Sequence, residues 1–294
     1  MKPAKFDYHA PSTLQEVMSH LDRYQEGARI LAGGQSLVPL LNFRIIQPVA
    51  LISINHCPEL SFIREDAQGI TIGALTRQAE AEKSQTVARR SPLLAACLPL
   101  VGGSANRNRG TVCGSIAHAD PLAELTAVAA ALGARMNLVS AAGRRTVDSD
   151  DFFEGELATC VQPGEMVESV FFPDRPARSR NVFLEVGNRA HGFAVVGVAA
   201  SLEVDERGRC VSSRLAAIGV GDRPARLLDA ERVLNGADRL HEAARDAGAV
   251  AAAAARPFGN YHADAAYKRD VLSTLIQRAV MQAMEQETSE GVAA

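Results

Sequence analysis

Two short turns rich in small residues constrain this chain more than any other feature. The first is "AGGQSL", Ala32 to Leu37, and the second is "RGTVCGSIAHADP", Arg109 to Pro121. Consecutive glycines let successive backbone N–H groups point into one concavity that suits phosphate oxygens. Thr111 and Ser115 add hydroxyl groups to the second turn. We expect a diphosphate clamped between two subdomains, although the first turn alone could merely end a strand and the second could merely lead into a helix.

Neither turn matches the two common nucleotide motifs. G-x-G-x-x-G after a strand and G-x-x-x-x-G-K-[ST] are both absent, which disfavours a Rossmann or P-loop site. A helix is predicted from Asp120 to Leu132, with Asp120 as its N-cap and Gly133 just past its end. Glu124 lies near the start of this helix, where its carboxylate could accept a hydrogen bond from a ribose hydroxyl.

Four other polar residues near the second turn receive structural interpretations. Cys113 occupies a position that needs a small residue, so we treat it as a substitute for glycine rather than as a reactive thiol. His118 is expected to be structural, since a lone histidine beside a cap usually is. Arg107 and Arg109 could face phosphate, but loop arginines are usually solvated and we leave both out of the site.

The order of predicted elements indicates the α+β class. Ser12 or Thr13 is predicted to cap a first helix, followed by a strand, the first turn and another strand. Strand hairpins then dominate over strand–helix–strand alternation, which disfavours a doubly wound parallel sheet. A long helical stretch is predicted from Thr76 to about Leu100, interrupted at Ser91-Pro92. We divide the chain into an N-terminal part (1–55), a middle part (56–176) and a C-terminal part (177–294).

Composition excludes several classes of protein. The net charge of −3 disfavours a nucleic-acid partner. The five cysteines contain no C-x-x-C pair, which disfavours a self-contained iron–sulfur or zinc site. No run reaches the roughly 20 apolar residues that a membrane helix needs, and the start has no apolar core typical of a signal peptide. We therefore expect a cytoplasmic protein without a membrane span.

Several segments together resemble one protein family. Besides the two turns, "FDYHAPSTLQEV", "FLEVGNRAHGFAVVGVAASLEV" and "AYKRDVLSTLIQRAV" are similar to the FAD-binding medium subunit of molybdenum hydroxylases, such as carbon monoxide and xanthine dehydrogenases. The resemblance spans nearly the whole chain. It implies a two-part FAD-binding domain of the vanillyl-alcohol-oxidase-like type, followed by a smaller α+β C-terminal domain with antiparallel strands and helices.

The resemblance also implies a set of cofactor-binding residues and no acid–base catalyst. Both turns would hold the FAD diphosphate, Ala117 and Glu124 would face the ribose and ribityl groups, and Glu185 and Phe193 would lie near the flavin ring. Met166 and Val167 would supply backbone contacts. The full set is Ala32, Gly33, Gly34, Gln35, Ser36, Leu37, Gly102, Thr111, Gly114, Ser115, Ala117, Glu124, Met166, Val167, Glu185 and Phe193.

Two residues depart from the family pattern that the resemblance suggests. Cys113 stands where the family often has glycine, and a non-glycine residue is tolerated there if its backbone angles are ordinary. Gly192 replaces an aspartate common in the family, which removes any polar side-chain contact at that position.

The function implied by the resemblance is electron transfer through FAD. Electrons would pass from [2Fe–2S] clusters in a small partner subunit, supplied by a large molybdenum–pterin subunit, to an external acceptor. The assembly would be a dimer of heterotrimers. Two alternatives remain open at this point: a stand-alone FAD-dependent oxidase of the vanillyl-alcohol-oxidase type, and a flavin-free assembly protein. The sequence names neither the substrate nor the acceptor.

Overall fold

The N-terminal part folds into a small parallel sheet. The computed structural model describes residues 1–189 and 192–286. Its first elements are β1 (Asp7–His9), α1 (Leu14–Tyr24), β2 (Ala28–Leu31), α2 (Leu37–Asn42) and β3 (Ala50–Ser53). The strand order is β1-β3-β2, with both pairs parallel. Thr13 caps α1, its hydroxyl accepting from the Glu16 N–H at 3.2 Å, as the capping pattern predicted. The three-residue β1 was not predicted, because it is too short for a periodic pattern.

The middle part is built around a five-stranded antiparallel sheet. Its elements are β4 (Ile63–Glu65), β5 (Gly69–Gly73), α3 (Gln78–Lys83), α4 (Gln85–Arg90), α5 (Pro92–Cys97), α6 (Ser104–Arg107), α7 (Val112–His118), α8 (Glu124–Leu132), β6 (Arg135–Ser140), β7 (Gly143–Asp148), α9 (Ser149–Phe152), β8 (Phe153–Gly155), β9 (Ala158–Thr159) and β10 (Met166–Pro173). The strand order is β4-β5-β10-β6-β7. Hydrogen-bonded hairpins join β4 to β5 and β6 to β7, in agreement with the predicted dominance of hairpins.

The C-terminal part is a four-stranded antiparallel sheet with helices packed against it. The elements are β11 (Ser179–Gly187), β12 (Ala194–Val204), β13 (Cys210–Ile218), β14 (Ala225–Arg226), α10 (Leu228–Leu234), α11 (Leu240–Ala254) and α12 (Ala265–Glu285). The strand order is β11-β12-β13-β14, and α12 lies against β12 and β11. Across residues 1–189 and 192–286, no helix has the length and apolar character needed to cross a membrane.

Two helix predictions were wrong in their boundaries. The stretch from Thr76 to Leu100 forms three short helices and a terminal 3₁₀ turn, with an additional break at Ser84, whose hydroxyl accepts from the Val87 N–H at 3.3 Å. The helix predicted from Asp120 starts at Glu124 instead. Asp120 does not cap it: its carboxylate accepts from the Leu122 N–H at 2.8 Å and closes a local turn before the helix.

Two hydrophobic cores hold the molecule together. The first contains side chains from both the N-terminal and middle sheets, including Ile52, Ile70 and Leu125, so these two parts pack as one body. The second lies between the C-terminal sheet and its helices and includes Val198 and Leu272. Helix α8 contacts α5 and α7 on one side and β12 and β13 on the other. The α+β class is therefore confirmed. Because the first two sheets share one core, the loops that leave them are fixed relative to each other.

Candidate functional site

The first turn leaves a run of backbone donors available. It follows β2, and Gly34 has a φ of +75°, which favours glycine. The Val38 N–H donates to the Gly34 carbonyl at 3.0 Å as the chain enters α2. The N–H groups of Gly34, Gln35 and Ser36 have no hydrogen-bond acceptor among the described residues. Unpaired amides of this kind are free to bind the oxygens of an anion.

The second turn is the capped start of α7. The Thr111 hydroxyl accepts from the Gly114 N–H at 3.0 Å, and the Thr111 carbonyl accepts from the Ser115 N–H at 3.2 Å. A Cβ at Gly114 would lie 2.6 Å from the Thr111 hydroxyl oxygen. A side chain here would crowd the capping hydroxyl, so the cap favours glycine independently of any ligand.

The two turns meet through their backbones. A Cβ at Gly33 would lie 2.3 Å from the Arg109 carbonyl oxygen and 2.7 Å from the Gly110 Cα. Only a glycine allows this approach, because backbone atoms cannot move aside as a flexible side chain can. The first turn thus lies directly against the residues that begin the second.

A cleft of about 420 Å³ opens beside the first turn. Among the described residues that line it, Arg109 alone carries a charge, so the cleft is positive and favours an anion. Backbone atoms, one amide side chain and apolar groups supply the remaining surface. The lining residues are Leu31, Ala32, Gly33, Gly34, Gln35, Val38, Pro39, Asn55 and Arg109.

Several predicted site residues lie elsewhere than in this cleft. Gly102 forms a turn with a φ of +50° before α6, and Ala117 is exposed on α7. Met166 and Val167 are buried at the start of β10. Phe193, just before β12, is 73% exposed. None of these five residues lines the cleft.

The N–H of Gly192, the second departure from the family pattern, donates to the Arg189 carbonyl at 3.1 Å. Glycine offers no side-chain contact at this position, as the sequence indicated.

Glu124, which is buried, and Glu185, which is half-buried, form an acidic pair near Cys97. Helices α5 and α8 and strand β11 bring the three groups together. Burial, and then the charge of Glu185 and Asp120, raise the pKa of Glu124 to about 8. Burial raises the pKa of Glu185 to about 7, and its Oε2 is buried without a hydrogen-bond partner among the described residues. Near neutral pH this pair therefore retains protons that ordinary carboxylates would lose.

The two loop arginines have different environments, and the prediction for Arg107 was wrong. Arg107 is only 8% exposed, pairs with Glu82 at 2.8 Å and donates to the Gly102 carbonyl at 2.8 Å. Its role is to hold the loop around α6. Arg109 is exposed but lines the cleft, and its position next to Gly110 in the sequence is the signal that could have placed it there.

Cys113 and His118 have the character expected of structural residues. Burial raises the pKa of the Cys113 thiol to about 12, and its Sγ donates to the Ile72 carbonyl at 3.2 Å. Its backbone is helical, so the substitution for glycine causes no strain. Burial lowers the pKa of His118, with Asp120 opposing this effect, so the imidazole is neutral at pH 7.

Sequence reasoning missed two residues that border the turns, Asn55 and Arg77. The Arg77 side chain donates to both Asn55 and the Arg109 carbonyl. Neither residue belongs to a recognisable motif, and no spacing in the sequence links them.

Comparison with known proteins gives matches along nearly the whole chain. Residues 4–175 match the model of the FAD binding domain in molybdopterin dehydrogenase, and residues 181–283 match that of the CO dehydrogenase flavoprotein C-terminal domain. The 6-hydroxypseudooxynicotine dehydrogenase complex subunit alpha of Paenarthrobacter nicotinovorans is 35% identical, over 97% of this chain and 96% of that one. The carbon monoxide dehydrogenase medium chain of Hydrogenophaga pseudoflava is 33% identical, over 95% and 97% of the two chains.

Solved structures give the same result. A chain of the carbon monoxide dehydrogenase from Hydrogenophaga pseudoflava superposes with a TM-score of 0.93 at 34% identity, covering 96% of this chain and 98% of that one. A chain of quinoline 2-oxidoreductase from Pseudomonas putida 86 superposes with a TM-score of 0.92 at 35% identity, covering 97% and 99%.

Proposed function

The chain belongs to the family of FAD-binding medium subunits of molybdenum hydroxylases, and on that premise we propose that it relays electrons. In this proposal, electrons arrive from [2Fe–2S] clusters of a small partner subunit and leave through FAD to an external acceptor. A large molybdenum–pterin subunit oxidises the substrate. The assembly is a cytoplasmic dimer of heterotrimers.

The observation that carries the proposal is the fit between the paired turns and a diphosphate. Gly34, Gln35 and Ser36 offer unpaired N–H groups, and the backbone contact at Gly33 keeps the two turns close. Arg109 supplies a positive charge, and no carboxylate is among the described residues that line the cleft. These are the donors and the charge that a diphosphate requires.

The remaining predicted residues are assigned by proposal to the rest of the cofactor. Glu124, protonated near neutral pH, can both donate to and accept from a hydroxyl, which suits a ribityl or ribose group. Glu185 has a buried oxygen with an unmet hydrogen bond and is proposed near the flavin ring. The other positions keep the roles that the family resemblance gives them, namely Ala32, Leu37, Gly102, Thr111, Gly114, Ser115, Ala117, Met166, Val167 and Phe193.

FAD supplies the redox chemistry, so this chain needs no acid–base catalyst. Its residues bind the diphosphate, fix the orientation of the cofactor and exclude water around the buried Glu124. We propose three structural units for this task, residues 1–55 and 56–176 on the two sides of the diphosphate and 177–294 closing over the flavin end.

Neither the cysteine nor the histidine of the second turn supports the oxidase alternative. A covalent flavin link would need a reactive histidine or cysteine near the second turn. Cys113 is buried with a strongly raised pKa, and His118 is half-buried and has no hydrogen bond to orient it among the described residues. The match of both family models along one chain also argues against an additional substrate domain within it.

The first test is the visible absorbance spectrum of the purified full chain before and after incubation with FAD, followed by acid precipitation. We expect a flavin spectrum and release of all flavin into the supernatant. Flavin that remains with the precipitate would indicate a covalent link and favour the oxidase. Absence of flavin under every condition would contradict the proposed FAD site at the two turns.

The second test addresses electron transfer. The small iron–sulfur subunit is reduced chemically, freed of excess reductant and mixed anaerobically with the FAD-loaded chain. We expect bleaching of the flavin absorbance together with reoxidation of the clusters. Clusters that remain reduced in a complex shown by gel filtration to have formed would contradict the proposed route.

A further inference from the structure

A relay of side-chain hydrogen bonds joins the starts of the two turns. The Arg77 guanidinium donates from Nη1 to the Arg109 carbonyl at 2.5 Å and from Nη2 to the Asn55 Oδ1 at 2.7 Å. The Asn55 amide in turn donates to the Leu31 carbonyl at 3.2 Å and to the Ala32 carbonyl at 3.0 Å. Two side chains therefore connect the carbonyl of the first residue of the second turn to the carbonyls of Leu31 and Ala32 at the start of the first turn.

The backbone around Arg77 is itself fixed to the second turn. Arg77 forms an isolated antiparallel bridge with Thr111. The Gln78 N–H donates to the Gly110 carbonyl at 2.9 Å, and the Val112 N–H donates to the Thr76 carbonyl at 3.2 Å. Arg77 is thus anchored by its main chain on one turn and reaches towards the other with its side chain.

Arg77 is poorly placed to contact a phosphate directly. Both of its terminal nitrogens already donate to protein acceptors, and it does not line the cleft, whereas Asn55 and Arg109 do. A simply solvated arginine does not fit either, because two short hydrogen bonds hold the planar guanidinium at both ends. Burial and the neighbouring charge of Arg109 lower the pKa of Arg77, with Glu80 opposing them.

We propose that Arg77 and Asn55 are positioning residues that set the spacing of the two turns for the FAD diphosphate. This inference rests on the proposed function of the turns. The relay acts before the ligand binds: by holding the turns at their binding distance, it removes the cost of ordering them on association. Arg77 acts through Asn55, so the two side chains form one unit.

The test measures FAD affinity of the full apo chain for four variants, Arg77→Ala, Arg77→Lys, Asn55→Ala and the double alanine variant. An FAD titration, monitored by the quenching of flavin fluorescence, gives the dissociation constant. Thermal unfolding of the apo chain shows whether each variant is still folded. We expect each alanine change to weaken FAD binding by about tenfold to a hundredfold, as loss of charge-assisted hydrogen bonds does. The double variant should be no weaker than the worse single variant, since either change breaks the relay. Lysine should restore only part of the affinity, because an ammonium lacks the two-pronged geometry.

The matched control is Arg89→Ala, which removes an arginine that is 62% exposed and paired with Glu65 away from both turns. Its FAD affinity should equal that of the wild type. Additive losses in the double variant would overturn the inference, because they would show that the two side chains act independently. A weaker salt dependence of FAD binding in Arg77→Ala would overturn it by indicating a direct phosphate contact. Wild-type affinity in both alanine variants would overturn it as well. Failure of the wild-type chain itself to bind FAD would instead overturn the proposed function.

Discussion

Substituting alanine for Gly33 tests the contact between the two turns most directly. Gly33 is not among the glycines with positive φ, so the added methyl group meets no backbone strain and only a steric clash opposes it. The new Cβ would lie 2.3 Å from the Arg109 carbonyl oxygen, whereas ordinary van der Waals contact begins at 3.4 Å. The two turns must therefore separate by about 1.1 Å, the difference between these distances.

A separation of this size is enough to remove the hydrogen bonds that one of the two turns donates to a phosphate. A phosphate oxygen at about 2.9 Å from a donor on one turn would move to roughly 4 Å from a donor on the other, beyond hydrogen-bond range. Loss of one or two charge-assisted hydrogen bonds costs about 3 kcal/mol, which weakens binding by about a hundredfold. We expect Gly33→Ala to purify without flavin and to show this loss in an FAD titration of the apo chain.

The control for Gly33→Ala is Gly208→Ala in the turn between β12 and β13. Gly208 has a φ of +78° with no atom within 4 Å of the added Cβ, so alanine there carries a backbone penalty of about 1 kcal/mol without a clash. Its unfolding temperature should fall slightly while its FAD affinity stays at the wild-type value. Wild-type FAD affinity in Gly33→Ala would refute the placement of the diphosphate between the turns.

Three further predictions concern the surrounding residues. Because burial raises the pKa of Glu124 from its ordinary 4.5 to about 8, its ionisation destabilises the fold progressively as pH rises between those values. The unfolding temperature of Glu124→Gln relative to wild type should therefore increase from pH 5 to pH 8, and a constant difference would contradict this. Arg107→Ala leaves Glu82 and the Gly102 carbonyl unpaired and should lower the free energy of unfolding in urea by about 2–3 kcal/mol; a loss within experimental error would show that the ion pair is not structural. Thiol titration of the native chain should modify at most Cys160, the one cysteine not fully buried, and Cys113→Ser should leave that count unchanged. Labelling of Cys113 in the folded chain would contradict its packing.

The elements that the sequence predicted correctly depend on local patterns. The predicted dominance of strand hairpins is seen, for example, where β6 pairs with β7, and Thr13 predicted the start of α1. Gly133 ends α8 in the left-handed conformation, as a glycine past a helix end usually does. Asp120 misled the prediction because its carboxylate could close a turn as well as cap a helix, and only the folded chain selects between the two.

The sequence by itself determined the two glycine turns, because backbone conformations of this kind require small residues at fixed local positions. The tertiary structure alone decided that Gly33 touches Arg109, that Arg77 reaches Asn55 and that Glu124 lies beside Glu185. Each of these contacts joins residues far apart in the chain. Periodicity and local motifs report only on neighbours within a turn or two, so such contacts appear when the sheets and helices have packed onto their shared core.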